Sequence, residues 1–561
     1  SAASDVYKRQ AMDHDVLVVG TGLTEAVLSA ALSRAGLRVL HVDANAYYGG
    51  SWACLTLSEI AAWAAAHGAE LAFPREPTVP RGAIPASCRA VDRHYSLALR
   101  PALLPANGPM IEALVRSNVA SYATFRLLDC VCVYDGHLAR VPSSKSEVFR
   151  HKGISLVDKR RLMRFLQLAM DADVPTERLT LAELLRDRMQ LAPELQRAVQ
   201  YGVALCWNAD EPSDTALSRT RTSLRGLGRY GDAAFLVAQY GGAGELAQGF
   251  CRCSAVNGGT FVLGHRIERL AREGDRWALR IAGIDETFTA AQVAVRADEL
   301  DKQGATAVAD ALPAAQQHAL ADKRPRTYEH LGIVVSDAPL RLDVQDERTP
   351  ETALVVLPPG FAQESCAPNA IMVVMQGEGT FCCPKGQYVY YLVTYSDTPA
   401  RAADLLRPAV RTLQEQQHDT PALPILECFY TRVAGPAAAY ASDGDALATA
   451  SHSAYVDTSA PPLRTSAARS SLCLDERAAR TQRVPNLTES LDLCVEQAEQ
   501  AFWALVGTDK RQDALRAAEA RQRQHDPREY EGRGGAEPDY DRLAAPADIE
   551  FFPPQPAAEM Y

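Results

Sequence analysis

One short stretch near the start of the chain restricts its fold more than any other. Asp15 leads into the unbroken apolar run Val16-Leu17-Val18-Val19, followed by Gly20-Thr21-Gly22. Ala26, Val27, Ala30 and Ala31 then recur at helical spacing as far as Gly36, and Arg38-Val-Leu-His-Val-Asp43 reads as a second strand that closes on an acid. A short, continuously apolar strand suits a parallel sheet covered on both faces. Two parallel strands need a crossover between them, and a helix ended by glycine supplies it. The opening therefore predicts a βαβ unit of an α/β, FAD/NAD(P)-binding Rossmann-like domain.

In that context the glycines have two readings. Gly20 permits the tight turn, Gly22 lets the backbone approach a pyrophosphate at the helix N-terminus, and Asp43 stands where a ribose hydroxyl would be read. That reading is a flavin or nicotinamide enzyme. Against it, Glu25 occupies the third motif position, where glycine or alanine is expected, and a carboxylate there repels a diphosphate. Ser442-Asp-Gly-Asp445 is the one weak match for the rest of a flavin site. Taken alone, the residues leave both a bound dinucleotide and an empty scaffold open, with the balance toward the scaffold.

The 561 residues exceed what a single core supports. Residues 1–11 carry no apolar period and read as an extension before Met12. Between 108 and 230 the pattern turns helical: Met110, Ile111, Leu114 and Val115 form one stripe, and Leu162, Phe165, Leu166 and Ala169 another. Strand signals return at 259–263, 277–281, 331–335, 353–357, 371–375 and 388–393. The simplest architecture is a discontinuous Rossmann-like domain, 12–107 with 231–506, interrupted by an all-helical domain at 108–230. The charged tail 507–561 reads as mostly disordered.

Composition narrows the function. Lys and Arg number 58 against 69 Asp and Glu, a net charge of −11, which argues against sequence-independent nucleic-acid binding. No run approaches the roughly 20 apolar residues of a membrane span, which predicts a cytosolic protein. Thirteen cysteines without a CxxC pair are expected to be reduced structural thiols, with no metal site. No nucleophile elbow or thiol–base pair suggests a catalytic triad.

Two blocks together are more specific. His14-Asp-Val-Leu-Val-Val-Gly-Thr-Gly-Leu-Thr-Glu25, with Arg38–Asp43 and Tyr47-Tyr-Gly-Gly50, resembles the Rab GDP-dissociation inhibitor and Rab escort protein superfamily. Gly244-Glu-Leu-Ala-Gln-Gly-Phe-Cys-Arg252, followed by Ser254-Ala-Val-Asn-Gly-Gly-Thr260, resembles the same superfamily's second block, with Ala247 replacing its usual proline. Ser117-Asn-Val-Ala-Ser-Tyr122, Val141-Pro-Ser-Ser144 and Arg229-Tyr-Gly231 agree. The later half matches loosely. Ser51-Trp-Ala53, Arg116-Ser-Asn-Val119, Phe250-Cys-Arg252 and the chain length look more like the escort branch than the recycling inhibitors.

The resemblance implies an FAD-enzyme-like α/β domain without cofactor, carrying a helical insert, which would account for Glu25 in a vestigial loop of Gly20, Gly22 and Asp43. It implies a non-catalytic accessory component that binds newly made Rab GTPases in the GDP form, presents them to the Rab geranylgeranyltransferase heterodimer, holds the geranylgeranyl lipid and delivers the prenylated Rab to membranes by transient contact. Carried over by motif, the Rab-binding residues are Tyr47, Glu245, Gln248, Arg252 and Val262, and the loop for the Rab C-terminus carries Arg229 and Phe235. Glu245 and Arg252 lie two helical turns apart, on one face if the segment is helical. Without the motif they would be an ordinary surface ion pair. The helical domain is expected to hold the prenyl group and the transferase contact. The alternatives are a recycling inhibitor and a flavin-dependent oxidoreductase.

Overall fold

The computed structural model describes residues 12–80, 82–143, 145–151, 153–171, 179–274, 276–295, 326–340, 350–417, 423–436, 455–457, 485–506 and 551–552. The expectations for residues 1–11, for 442–445 and for most of 507–561 lie outside these.

The opening unit forms as its sequence requires. β1 (Met12–Val19) and β2 (Val39–Asp43) are parallel neighbours, and Val16 to Val19 are each at most 1% exposed. They belong to a seven-stranded sheet in the order β11 (Thr260–Leu263), β2, β1, β14 (Thr287–Val295), β13 (Arg276–Ile281), β12 (Ile267–Glu273), with β20 (Tyr455–Asp457) alongside the end of β14. Pairing is parallel from β11 through β14 and antiparallel from there to β12.

The crossover helix α1 (Leu23–Arg34) is buried all round from Leu23 to Ser33, as a helix packed between layers must be. It lies against α6 (Ala243–Val256) and α8 (Ser490–Val506). Small residues allow the close approach: Ser254 Oγ of α6 sits 2.8 Å from the hydroxyls of both Ser29 and Ser33.

The later strands form a second sheet instead of extending the first. Its order is β4 (Glu70–Ala72), β19 (Leu426–Pro436), β15 (Arg326–Ser336), β18 (Tyr388–Ser396), β17 (Ile371–Gly377), β16 (Thr352–Leu357), β8 (Cys130–Tyr134), β9 (Leu138–Arg140). Only β16 and β8 pair in parallel. Alternate residues face different cores. Leu331, Ile333, Met372 and Val374 pack with α2 (Leu57–His67) and its flanking segments, whereas Val334, Ile371, Val373 and Met375 pack under α7 (Ala402–Glu415). A sheet buried on both faces reads as continuous apolar runs, which is why these strands resembled those of the parallel domain.

The helical stretch is narrower than 108–230. In α3 (Pro109–Arg116), Met110, Ile111 and Leu114 join the core of α1, not a separate helical core. Strands follow it: β7 (Phe125–Leu127) pairs with β10 (Phe235–Ala238), which also pairs β6 (Leu104–Pro105), while β8 and β9 enter the second sheet. The alternation Cys130-Val-Cys-Val-Tyr134 has period two. A separate helical core begins after these strands, where α4 (Leu156–Met170) and α5 (Ser213–Gly226) enclose Leu162, Phe165, Ala169, Leu185 and Leu217. Buried Arg219 pairs with Glu211 of the same unit at 2.5 Å and ties the unit to the rest through Glu489 at 3.3 Å. A short ribbon, β3 (Cys54–Leu55) with β5 (Leu97–Ala98), completes the strands among the described residues.

The tail departs from the expectation at one point. Phe551 and Phe552 are 6% and 5% exposed, with Phe551 against Phe250 of α6 and Phe552 against Phe502 of α8. Two adjacent phenylalanines in a charged segment find an apolar seat that local composition does not disclose.

Candidate functional site

The glycine loop and the start of α6 are in contact through a third turn. Gly49 N–H donates to Thr21 O at 3.0 Å, and a Cβ on Gly49 would come within 3.3 Å of Gly244 Cα. Gly49, with φ of 95°, therefore wedges the Tyr47–Gly50 turn between two helix N-termini, and only glycine fits.

The loop itself is filled by the chain. Glu25 is fully buried, and a Cβ on Gly22 would strike its Oε2, so the carboxylate lies where backbone would otherwise approach a diphosphate. Asp43 accepts from Thr21 N–H at 2.7 Å, Thr21 Oγ1 at 2.5 Å and Asn45 N–H at 2.7 Å. The ribose-reading acid is thus engaged within the protein. His41 Nε2 lies 2.5 Å from Gly20 O, and burial pulls its imidazole down to about 4. A dinucleotide does not fit these residues. Among the described residues no group of His, Cys, Asp and Glu is arranged to hold a metal ion.

α6 offers the opposite face. Glu245, Gln248 and Arg252 are all exposed, at positions i, i+3 and i+7, one stripe of the helix, while Leu246, Ala247, Phe250 and Cys251 are buried against α1 and α8. Partial burial raises the Glu245 carboxyl above its ordinary value. Arg252 lies over the ring of Tyr122, 4.6 Å from its centroid, a cation–π contact that holds the guanidinium side-on. Tyr47 is half-buried on the wedged turn and packs against the second sheet's core. Val262 sits in the edge strand β11 opposite Val42 and is half-buried. Tyr47 and the α6 stripe are thus joined through Gly49 and Gly244, and Val262 follows on the strand that leaves α6.

The two residues assigned to the C-terminus loop separate. Arg229 is on the surface, its Nη1 2.9 Å from Asn107 Oδ1, and beside it Tyr230 helps line a cavity of about 620 Å³ with Ile111, Leu114, Val115, Phe125 and Leu127. Phe235 begins β10 and is 5% exposed. It packs in the second core and presents no face to a partner, contrary to its expected place on the loop. The strand pairing of Phe235 with Pro105 explains this. The Ser117–Tyr122 motif was singled out without a role; of the stripe residues that line the cavity, Leu114 is core as its spacing predicts, while Val115 is 59% exposed. Their apolar spacing was visible, but the cavity is not, because it is closed by residues more than a hundred positions away.

The helical unit exposes Phe149, Leu156 and Val157, at 58%, 74% and 56%. No helix among the described residues is long and apolar enough to cross a membrane.

The chain matches the GDP dissociation inhibitor family over residues 10–303, more than half its length. It is 28% identical to the Rab proteins geranylgeranyltransferase component A of Drosophila melanogaster, over 70% of this chain and 76% of the relative. Against the protein of that name in Saccharomyces cerevisiae it is 27% identical, spanning 63% of the relative. Rab GDP dissociation inhibitor beta of Canis lupus familiaris is 31% identical over 46% of this chain and 57% of its own. Among solved structures, the Rab GDI of Plasmodium falciparum superposes with a TM-score of 0.55 at 19% identity, covering 76% of this chain and 90% of that one, which shows a shared fold. With its glycine loop closed and its α6 block intact, the chain belongs to the GDP dissociation inhibitor family.

Proposed function

We propose that this protein is a Rab escort protein: a non-catalytic component that holds a newly made, GDP-bound Rab GTPase and presents it to Rab geranylgeranyltransferase. The observation that carries the reading is the exposed Glu245–Gln248–Arg252 stripe, on a helix whose other face is locked in the core. A rigid scaffold with charged side chains aimed outward suits recognition by charge-assisted hydrogen bonds. Tyr47 adds an aromatic contact at little entropic cost. The cavity beside Tyr230 is apolar over most of its lining, with Arg126 and Asp129 at its wall, and suits an extended C-terminal peptide of the GTPase guided by Arg229. Exposed Phe149, Leu156 and Val157 support the helical unit as the surface offered to the transferase. A geranylgeranyl chain is costly in water, at about 0.8 kcal/mol per CH₂, so a carrier must shield it during transfer from cytosol to membrane.

The escort branch is favoured over the recycling inhibitor because similarity to component A extends over 70% of the chain, against 46% for inhibitor beta. Reconstitution decides between them. Purified protein, an unprenylated Rab and the transferase heterodimer should yield prenylated Rab only when all three are present. Tight binding confined to already prenylated Rab, with no support of the transferase, would establish the inhibitor instead.

A further inference from the structure

Two large aromatic side chains stand in solvent on strained backbone, Tyr240 just before α6 and Phe381 in the turn between β17 and β18. Tyr240 and Phe381 are 49% and 52% exposed, and their rings stack with centroids 4.9 Å apart and planes 14° from parallel. Both residues have φ of 57°, the left-handed region, which a bulky residue enters only uphill. Core packing does not call for this conformation, since neither ring is buried.

The strained backbone is held from several sides. Tyr240 N–H donates to Thr380 O at 2.8 Å and Ser96 N–H to Cys382 O at 3.0 Å. Gln239 Nε2 donates to Gly379 O at 2.8 Å, and Ser96 Oγ to Tyr240 O at 2.7 Å. Three segments distant in sequence are tied together through main chain, and the stacked rings are what the tie presents. Strain that its surroundings over-determine clusters at recognition sites, and a pair already stacked has little freedom left to lose on contact.

Position identifies the occupant. Tyr240 precedes Glu245 by five residues, at most about 18 Å of extended chain. A standard interface covers about 800 Å² on each partner, a disc roughly 30 Å across. We propose that Tyr240 and Phe381 form an aromatic seat for an apolar side chain of the same GTPase that lies on the α6 stripe, so that charged and apolar recognition flank one helix start. This rests on the GTPase-binding reading above.

The test measures affinity of the full chain for an unprenylated, GDP-loaded Rab, alongside thermal melting. Asn tolerates the left-handed region, so Tyr240→Asn with Phe381→Asn removes the rings without forcing the backbone. Phe381→Asn alone serves if the pair of substitutions impairs folding, and Arg252→Ala reports on the stripe. The expected result is affinity at least about tenfold weaker with Tm within about 3 °C of the parent. Affinity within twofold of the parent while Arg252→Ala is impaired would overturn the seat and leave the stripe standing, as would a fall in Tm large enough to account for the lost binding. A parent chain that binds no Rab would instead overturn the underlying reading.

Discussion

Two helices in the first core begin alike and end in opposite roles. α1 follows Gly20-Thr-Gly22 and α6 follows Gly241-Gly242. The helices pack on each other through hydroxyls 2.8 Å apart, and each carries a glutamate in its first turn. At α1 the glutamate is fully buried and the neighbouring acid is consumed by Thr21 and Asn45. At α6 the glutamate, a glutamine and an arginine face solvent. A glycine-led helix start is therefore only an opportunity for binding, and its surroundings decide whether the chain fills it or leaves it for a partner.

The contrast is most directly broken at the open end. Tyr47→Ala with Arg252→Ala should weaken Rab binding by about 100-fold or more if both are interface anchors, with little change in melting. Equal affinity, measured by fluorescence anisotropy, would remove α6 from the interface. Between the two ends lies Gly244, where a Cβ would meet Cys54 N and Trp52 O at 2.8 Å. These are backbone atoms that yield little, so Gly244→Ala should cost about 1–3 kcal/mol by overpacking, read as a lower Tm together with weaker Rab binding.

The closed end should reveal itself through pH. His41 is buried with its pKa held at about 4, below the 6.5 of an unfolded histidine, and His330 is likewise near 4. The folded state then binds fewer protons than the unfolded state between those values. Stability is fully present above pH 6.5 and is lost as pH falls toward 4. His41→Gln should flatten the acid limb of a melting-temperature profile, by an amount on the order of 1–3 kcal/mol across that window. Asp492, whose carboxyl accepts from Met110 N–H at 2.9 Å, is raised by burial to about 7. It opposes the histidines, since its folded state gains stability on acidification from 7 toward 4. The smallest expected effect sharpens the open end: Tyr122→Ala should weaken Rab binding about two- to fivefold, the worth of an exposed cation–π contact, and Tyr122→Phe should restore it.

Much of this was legible in the chain. The βαβ opening could be read from Val16–Val19 and its glycines, because a parallel strand buried on both faces has a distinctive composition. The shared face of Glu245 and Arg252 could be read from their seven-residue spacing, because helical period is local, whereas Gln248 was added to it by the family resemblance. The closure of the loop was signalled by Glu25 alone. The strands β15 to β18 were recognised, but that they form a sheet of their own was not, since burial on both faces looks the same whether neighbours run parallel or antiparallel. Phe235 was placed on a loop that its pairing with Pro105 turns into a strand. The burial of Phe551 and Phe552 depends on Phe250 and Phe502, which no local pattern connects to them.

By itself, then, the sequence determined the opening crossover, the charged stripe and the family, all of which depend on residues close together along the chain. The tertiary structure decided which glycine-led helix start is sealed and which is open, where the second sheet lies, and that Tyr122 steadies Arg252. Those outcomes depend on contacts between segments far apart in the chain, and such contacts exist only once the two sheets and the helical unit have packed.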